Sequence, residues 1–518
     1  MSNKQYEKIG SFTGCEGYEI KIYGNRRVEE MKLSCMLTKF AYKCLKGNVD
    51  TEVNHLVYDS RKVEQGDVFV CISGTARDAH DFVVDVAQKG AAAIIVEKDV
   101  TEQLADYDVT VVQTENTRLA LACMSADYFG NPAEKLTTIG ITGTKGKTTT
   151  TYMVRSVLEK TGVKTGLIGT IETIIGDEHI PASNTTPESY IVQETFAKMV
   201  EAGIQCVVME VSSQGLMLHR VSGFTFDYGI FTNLSEDHIG PTEHKDFEDY
   251  MRCKAMLFKH CKVGIVNADD PHVDGILDGA TCKVERFGME KEADLKASDL
   301  ELFKKPGILG IRFHMSGKAD MEVEVDIPGR FSVYNSLTAI AICLHFTDDL
   351  KLIQDVLKTV QVKGRVEIVP VSDKFTLMID YAHNAVSLES LLLALKEYHP
   401  KRIVSVFGCG GNRSKVRRFE MGEVSSKLAD FTIVTSDNPR FEEPADIIKD
   451  IIVGVEKADG KYIMIEDRRE AIAYAMDHAR EGDVIVIAGK GHEDYQEIKG
   501  VKHHFSDREV VEEHAKEM

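Results

Sequence analysis

The chain has 518 residues, 43% hydrophobic and 28% charged, which is enough apolar material for several cores and excludes a disordered or fibrous chain. Its formal net charge of −20 excludes nucleic-acid binding through the overall field, because phosphate backbones demand a basic footprint. The same field repels anionic small molecules unless a pocket is locally basic, and the length predicts about three domains.

Residues 1–30 carry glycines at 10, 14, 17 and 24 that interrupt every hydrophobic period. They read as a loosely attached extension, with Met31 a second plausible start, and residues 31–45 then read as a helical run. Segments 67–72 (DVFVCI) and 92–96 (AAIIV) predict buried strands, with a helix over 81–89 between them. The turn signal Gly130-Asn131-Pro132 closes a first domain, 31–132. A second, 133–362, alternates strands at 136–142, 206–211, 228–233 and 264–267 with helices near 148–161, 189–202 and 245–260. A β-rich excursion over 281–330 and a helix at 333–346 complete it. In the third, 363–518, strands at 375–380, 403–407, 431–435 and 483–488 run directly into DYAHN, GCGGNR, SDNPR and GKGHE. Alternating strand and helix predicts an α/β fold with mostly parallel sheets, whose ligands bind at the carboxyl ends of the strands. Four polar segments are therefore expected along one sheet edge.

The eleven cysteines form no CxxC pair and read as reduced, buried thiols. No stretch approaches the ~18 apolar residues of a membrane span. The N-terminus lacks the apolar core of a secretory signal, so a cytoplasmic location is expected.

The strand at 136–142 leads into Gly143-Thr144-Lys145-Gly146-Lys147-Thr148-Thr149 and then a helix. Glycines let backbone wrap phosphate oxygens, and the helix N-terminus presents unpaired N–H groups. Lys147 can reach the β/γ-phosphates and the Thr148 hydroxyl a Mg²⁺ ion. The general pattern asks for glycine where Ile141 stands, so the run fits a shorter T-G-T-x-G-K-T form. Glu210 ends the next strand, where it suits Mg²⁺, while Ser212-Ser213 equally suit a helix cap. His238 follows a third strand and is open to a metal or a purely structural role.

TGTKGKTTT, SNTTP (183–187), MEVSS (209–213), FTNLSEDH (231–238), DYAH (380–383), DNPR (437–440) and GKGHEDYQ (489–496) occur in this order. Together they resemble the Mur ligase family, in the branch that adds the third residue of the peptidoglycan stem peptide. The resemblance covers about 31–518. It implies a uridine-binding α/β domain, a central ATP-binding domain and a C-terminal Rossmann-like amino-acid domain. It also implies ATP and Mg²⁺ as cofactors, small-molecule substrates, a monomer, and no nucleic-acid partner. The implied reaction joins a diamino acid to UDP-N-acetylmuramoyl-L-alanyl-D-glutamate through an acyl phosphate.

By the same resemblance, Ser60 contacts the uridine end, and Asn184, Thr185, Thr186, Ser212 and Arg220 hold the muramoyl dipeptide. The loop 143–149 binds ATP with Asn335, Arg365, Asp380 and His383. Lys147, Glu210, His238 and Lys254 are the catalytic set. Thr148, Glu210, His238 and Lys254, the last as a carbamate, are the metal ligands; by composition alone Lys254 is a helix-surface lysine. Asp437, Asn438, Pro439 and Arg440 with Arg413, Gly489 and Glu493 select meso-diaminopimelate, Arg440 pairing its far carboxylate. Lysine in place of diaminopimelate, a folate-extending ligase, a cell-wall-nucleotide sensor and a plain P-loop ATPase stay open as alternatives. Four basic residues in the run 413–418 predict positive clefts within an acidic outer surface.

Overall fold

The computed structural model describes residues 31–74, 77–240 and 243–518, so the extension 1–30 lies outside them. Contacts divide the chain into two compact units: the described residues up to Lys147 with Gly162–Glu285, and Thr148–Thr161 with Arg286–Met518. Among the described residues no helix is long and apolar enough to cross a membrane.

The first unit opens with a five-stranded sheet in the order Lys43–Lys46, Thr110–Gln113, Ala93–Val96, Val68–Val70, Leu56–Val57. Val68, Val70, Ala93, Ile95 and Val112 feed one core, and Phe69, Ile94, Val96 and Val111 feed the other. Both faces are covered, which is why these strands read as continuous apolar runs.

The helix expected over 31–45 does not form. Met31–Lys32 pairs with Glu52–Val53, Leu33–Met36 is a single 3-10 turn, and Lys43–Lys46 is an edge strand. Leu33 and Ser34 donate their N–H groups to Thr51 and Val49 instead of starting a helical ladder. Leu33, Met36, Leu37 and Phe40 are nonetheless buried. The apolar spacing marked burial, and tertiary backbone partners decided the conformation.

A second sheet in this unit places Thr137–Thr142 between Cys206–Glu210 and Phe226–Phe231, both parallel to it. Glu210 is level with Ile141 and Phe231 with Thr142, so three strand ends open onto one edge. Helix Ser189–Glu201 packs on helix Thr117–Tyr128 of the preceding block. Tyr190 meets Tyr58, Tyr128 and Phe129 with ring centroids 5.7, 6.3 and 5.1 Å apart, and Arg118 pairs with Glu188 at 3.1 Å.

In the second unit, Leu295–Lys305, Ile308–Gly317 and Met321–Val325 form the antiparallel excursion expected over 281–330, followed by helix Arg330–Cys343. A six-stranded sheet then runs Glu367–Ile368, Thr376–Asp380, Asp483–Ala488, Arg402–Phe407, Phe431–Val434, Tyr462–Met464. All neighbours but the first pair are parallel. Asp380 and Phe407 are both level with Ala488, and Phe407 with Val434. The four polar segments therefore gather at one edge, as the strand spacing predicted.

Arg468 ties that edge together. Its side chain is fully buried and donates to both carboxylate oxygens of Asp507 at 2.7 and 2.8 Å, and to the Ala488 carbonyl at 3.0 Å. A buried pair broken on one side leaves an uncompensated charge, which costs about 3–5 kcal/mol. Arg468→Met is expected to lower the urea midpoint strongly. Arg468→Met with Asp507→Leu is expected to recover part of that loss, and equal midpoints for the single and double variants would contradict this account.

Candidate active site

The loop 143–147 is held from the neighbouring strand by Asn233. Thr144 N donates to Asn233 O at 2.9 Å, Lys145 N to Asn233 Oδ1 at 2.9 Å, and Asn233 Nδ2 to Lys145 O at 3.0 Å. A Cβ at Gly143 would stand 2.0 Å from Thr232 Oγ1, so only glycine fits there. Thr148 and Thr149 fall in the first turn of helix Lys147–Lys160, with Thr148 buried.

Lys147 Nζ donates back to the Gly143 and Thr144 carbonyls at 2.9 and 3.1 Å. Lys254 Nζ donates to the same Gly143 carbonyl at 3.0 Å. Lys254 is 1% exposed, which corrects the helix-surface reading. It lies on helix Phe247–Lys259, four residues after Tyr250, and its amine stands 4.5 Å from the centre of the Tyr250 ring. Burial, and then the nearby Lys147 charge, hold its pKa well below the usual lysine value. Both effects disfavour the charged form of this amine. Tyr250 OH is 3.1 Å from Thr144 Oγ1, which links this helix to the phosphate loop.

Glu210 is buried, and its carboxylate accepts from Thr170 N at 2.8 Å and Thr170 Oγ1 at 3.0 Å. Thr170 Oγ1 is also 3.0 Å from Thr185 Oγ1. Thr186 Oγ1 donates to Glu210 O and accepts from Ser212 N, both at 2.9 Å. Arg220 Nη1 donates to Thr186 O at 3.0 Å. The structure thus brings Thr185, Thr186, Glu210, Ser212 and Arg220 into one network, while Asn184 is exposed beside it. Ser212 also realises the cap reading, accepting from Gly215 N at 3.0 Å. Ser213 is fixed by buried His244, Oγ to Nε2 at 2.8 Å, with Asp249 at 3.3 Å from Nδ1. Burial lowers the His244 pKa and disfavours its charged form, and the ring joins the Ser213–Met217 helix to the Lys254 helix.

His238 is half-exposed, with a left-handed φ of +55°, and its Nδ1 is 2.9 Å from Glu243. Ser60 begins the turn Ser60–Lys62 and borders a surface pocket of about 450 Å³ with Arg61, Phe82, Asp85, Gln88 and Lys89.

Asn335, Arg365, Asp380 and His383 belong to the second unit. Asn335 is buried on helix Arg330–Cys343. Asp380 accepts from Val366 N and Ala382 N, both at 2.8 Å. Burial raises its pKa while the Arg365 charge opposes that rise. The Arg365 guanidinium lies 4.6 Å from the centre of the Tyr381 ring, and His383 is held by the Tyr381 carbonyl at 2.9 Å.

The third group of residues turns on Asn438. Its Nδ2 donates to Glu493 at 2.8 Å, its Oδ1 accepts from Glu497 N at 2.9 Å and Lys490 Nζ at 3.3 Å, and its carbonyl accepts from Gly411 N at 2.9 Å. DNPR and GKGHE are thereby joined. Gly489 has φ +111°, and a Cβ there would lie 2.7 Å from Asp437 Oδ2. Pro439 is buried, and Arg440 lies across from Gly411. Arg413 is exposed. One charge expectation is corrected here: Arg418 is buried and consumed by Glu442 at 2.7 Å and Asp450 at 2.9 Å, so the basic run does not act as a whole.

Three family models match the chain in order: Mur ligase family, catalytic domain, over residues 52–129; Mur ligase middle domain over 141–343; and Mur ligase, glutamate ligase domain over 364–491. The UDP-N-acetylmuramoyl-L-alanyl-D-glutamate–2,6-diaminopimelate ligase of Clostridium perfringens is 44% identical over 488 residues, covering 93% of this chain and 99% of that one. The chain belongs to the Mur ligase family. The corresponding ligase of Clostridioides difficile is 39% identical over 489 residues, with 93% and 99% covered. A solved diaminopimelate ligase structure superposes with a TM-score of 0.69 at 27% identity, covering 94% of this chain and 99% of that one. A folylpolyglutamate synthase from Mycobacterium tuberculosis reaches 0.56 at 18% identity over 72% and 92%, a likeness of fold alone.

In this Mur ligase the sequence reading missed Asn233, Thr170, Tyr250 and His244, whose partners are distant in the chain. Asn233 lies inside the quoted FTNLSEDH motif, but nothing local shows that it or Tyr250 braces the loop. The lowered pKa of Lys254 is directly testable. The unfolded chain, with the higher pKa, binds this proton more readily, so Lys254 makes stability rise with pH between the folded value and the unfolded value of about 10.4. In bicarbonate-free buffer, Lys254→Met is expected to be the more stable form at neutral pH. It should also gain less on going from about pH 7 to pH 9 than the parent. Equal gains would mean that the folded amine is charged.

Proposed function

We propose that this chain is an ATP-dependent amide ligase that adds meso-diaminopimelate to UDP-N-acetylmuramoyl-L-alanyl-D-glutamate. The observation that carries the reading is the junction at Asn438, which joins DNPR and GKGHE beside Arg440. A folate-extending ligase or a plain ATPase has no need of that junction. The near-full-length relatives named as diaminopimelate ligases support the same substrate. In this reading 31–132 takes the uridine end through Ser60, 133–362 takes ATP, and 363–518 takes the amino acid. The enzyme works in the cytoplasm as a monomer, one chain carrying every group the reaction uses.

The D-glutamyl carboxylate is a poor electrophile, so it first attacks the γ-phosphorus of ATP to give an acyl phosphate and ADP. Thr185, Thr186, Ser212 and Arg220 hold the dipeptide beside the loop. Lys147 stabilises the charge that builds on the transferring phosphoryl group. The amine of diaminopimelate then attacks the carbonyl carbon, and the tetrahedral intermediate expels phosphate. Arg440, with Arg413, takes the distal carboxylate, and Glu493 with the Gly489 carbonyl takes the distal ammonium.

The donor set fits Mg²⁺. Glu210 is a buried carboxylate, Thr148 offers a hydroxyl and His238 a ring nitrogen. Lys254 is a buried amine whose lowered pKa favours the neutral form, the one that reacts with carbon dioxide to give a carbamate, which supplies hard oxygen ligands. Bound there, Mg²⁺ would neutralise charge on the phosphate oxygens. ATP binding also draws on Asn335, Arg365, Asp380 and His383.

The test is phosphate release with the UDP-muramoyl dipeptide and ATP, adding meso-diaminopimelate, lysine or ornithine separately. Stimulation by diaminopimelate is expected. Stimulation by lysine alone would overturn the specificity, and none by any diamino acid would overturn the ligase reading. Arg440→Ala should raise KM for diaminopimelate about tenfold or more while leaving KM for ATP unchanged.

A further inference from the structure

Arg440 is held in an unusual way. Its φ is +52°, a left-handed backbone conformation that costs a non-glycine residue about 1–2 kcal/mol. Two backbone hydrogen bonds hold it there: Arg440 N to Glu497 O at 2.9 Å, and Lys499 N to Arg440 O at 2.6 Å. The side chain is fixed as well. Nε donates to Glu497 Oε2 at 3.1 Å and Nη1 to the Gly411 carbonyl at 2.7 Å. Among the described residues Nη2 has no hydrogen-bond partner.

Glu497 belongs to the hairpin Tyr495–Ile498 and Val501–His504, which forms a two-stranded sheet of its own. That hairpin is anchored at the site by Glu497 N to Asn438 Oδ1 at 2.9 Å. One residue therefore grips Arg440 by backbone and side chain, and grips Asn438, which orients Glu493. Placing a carboxylate beside an arginine meant for an anionic ligand is costly unless it does something in return, since its charge offsets part of the attraction the ligand feels. What it does here is geometric. With Nε and one Nη1 hydrogen occupied, rotation of the guanidinium is restricted, and the second Nη1 hydrogen and those of Nη2 remain as donors. A planar fork locked in this way is pre-organised to take a carboxylate by two parallel bonds.

We infer that Glu497 is a specificity-determining positioning residue, which locks the Arg440 guanidinium so that its free edge receives the distal carboxylate of the diamino acid. This rests on the diaminopimelate reading above. Glu497 itself need not touch the substrate.

The test compares Glu497→Ala, Glu497→Gln and Arg440→Ala in the full-length enzyme, by phosphate release at varied meso-diaminopimelate, lysine and ATP. Glu497→Ala is expected to raise KM for diaminopimelate roughly tenfold, the size of one charge-assisted hydrogen bond, with KM for ATP unmoved. Any residual use of lysine, which lacks the distal carboxylate, should be unaffected. Glu497→Gln keeps an oxygen acceptor for Nε–H and should restore most of the affinity. A merely structural role would change ATP, lysine and diaminopimelate together and would not separate Ala from Gln. If Arg440→Ala weakens diaminopimelate but Glu497→Ala does not, or tightens it, the positioning role is overturned and the ligase reading stands. If Arg440→Ala itself leaves KM for diaminopimelate unchanged, the substrate reading falls and this inference with it.

Discussion

Two lysine amines, Lys147 and Lys254, converge on the carbonyl oxygen of Gly143. Two positive charges at one buried acceptor repel each other, which disfavours the charged form of the more deeply buried amine. Burial selects Lys254. Lys147 is only half-buried. From that division follow the separate roles proposed for the two residues, one a cation for phosphate and the other an amine with a lowered pKa that is open to modification. The convergence depends in turn on Gly143, where any side chain would collide with Thr232, and on Asn233, which holds the loop at three points.

Both units use the same device to build a site. Parallel strands end level with one another, and each end releases a polar segment onto the shared edge. In the first unit the edge carries the loop 143–147, Glu210 with its Thr170 and Thr186 partners, and the segment leading to His238. In the second it carries Asp380, Asn438, Arg440 and Glu493. The segments are then cross-linked by side chains. Asn438 joins two of them by hydrogen bonds, and Arg468 joins the Ala488 end to the C-terminal helix through Asp507. Side-chain cross-links of this kind set distances more finely than the sheet alone.

The acidity of the chain resolves locally. Lys147, Arg220 and Arg440 are the cations proposed to meet anionic groups, while Arg418, in the most basic stretch of the third block, is spent on Glu442 and Asp450. A count of basic residues in a run therefore overstates the positive charge available. Arg440 carries the same lesson, since Glu497 already claims part of it, and what remains is directional rather than a diffuse field.

The sequence by itself determined the alternation of strand and helix, and with it the mostly parallel sheets and the edges on which the polar segments gather. Short continuous apolar runs and loops rich in glycine and polar residues are local signals. It also determined the phosphate loop, where glycine, lysine and threonine spacing between strand and helix carries its own chemistry. It misled at 31–45, where apolar spacing suited a helix but backbone partners at Val49 and Thr51 took the N–H groups. Tertiary structure alone decided that Lys254 is buried, that Asn233 braces the loop, that His244 bridges two helices, and that Glu497 grips Arg440. Each of these is a meeting of residues far apart in the chain, and a side chain's burial and partners are set by what folds against it, not by its neighbours in sequence.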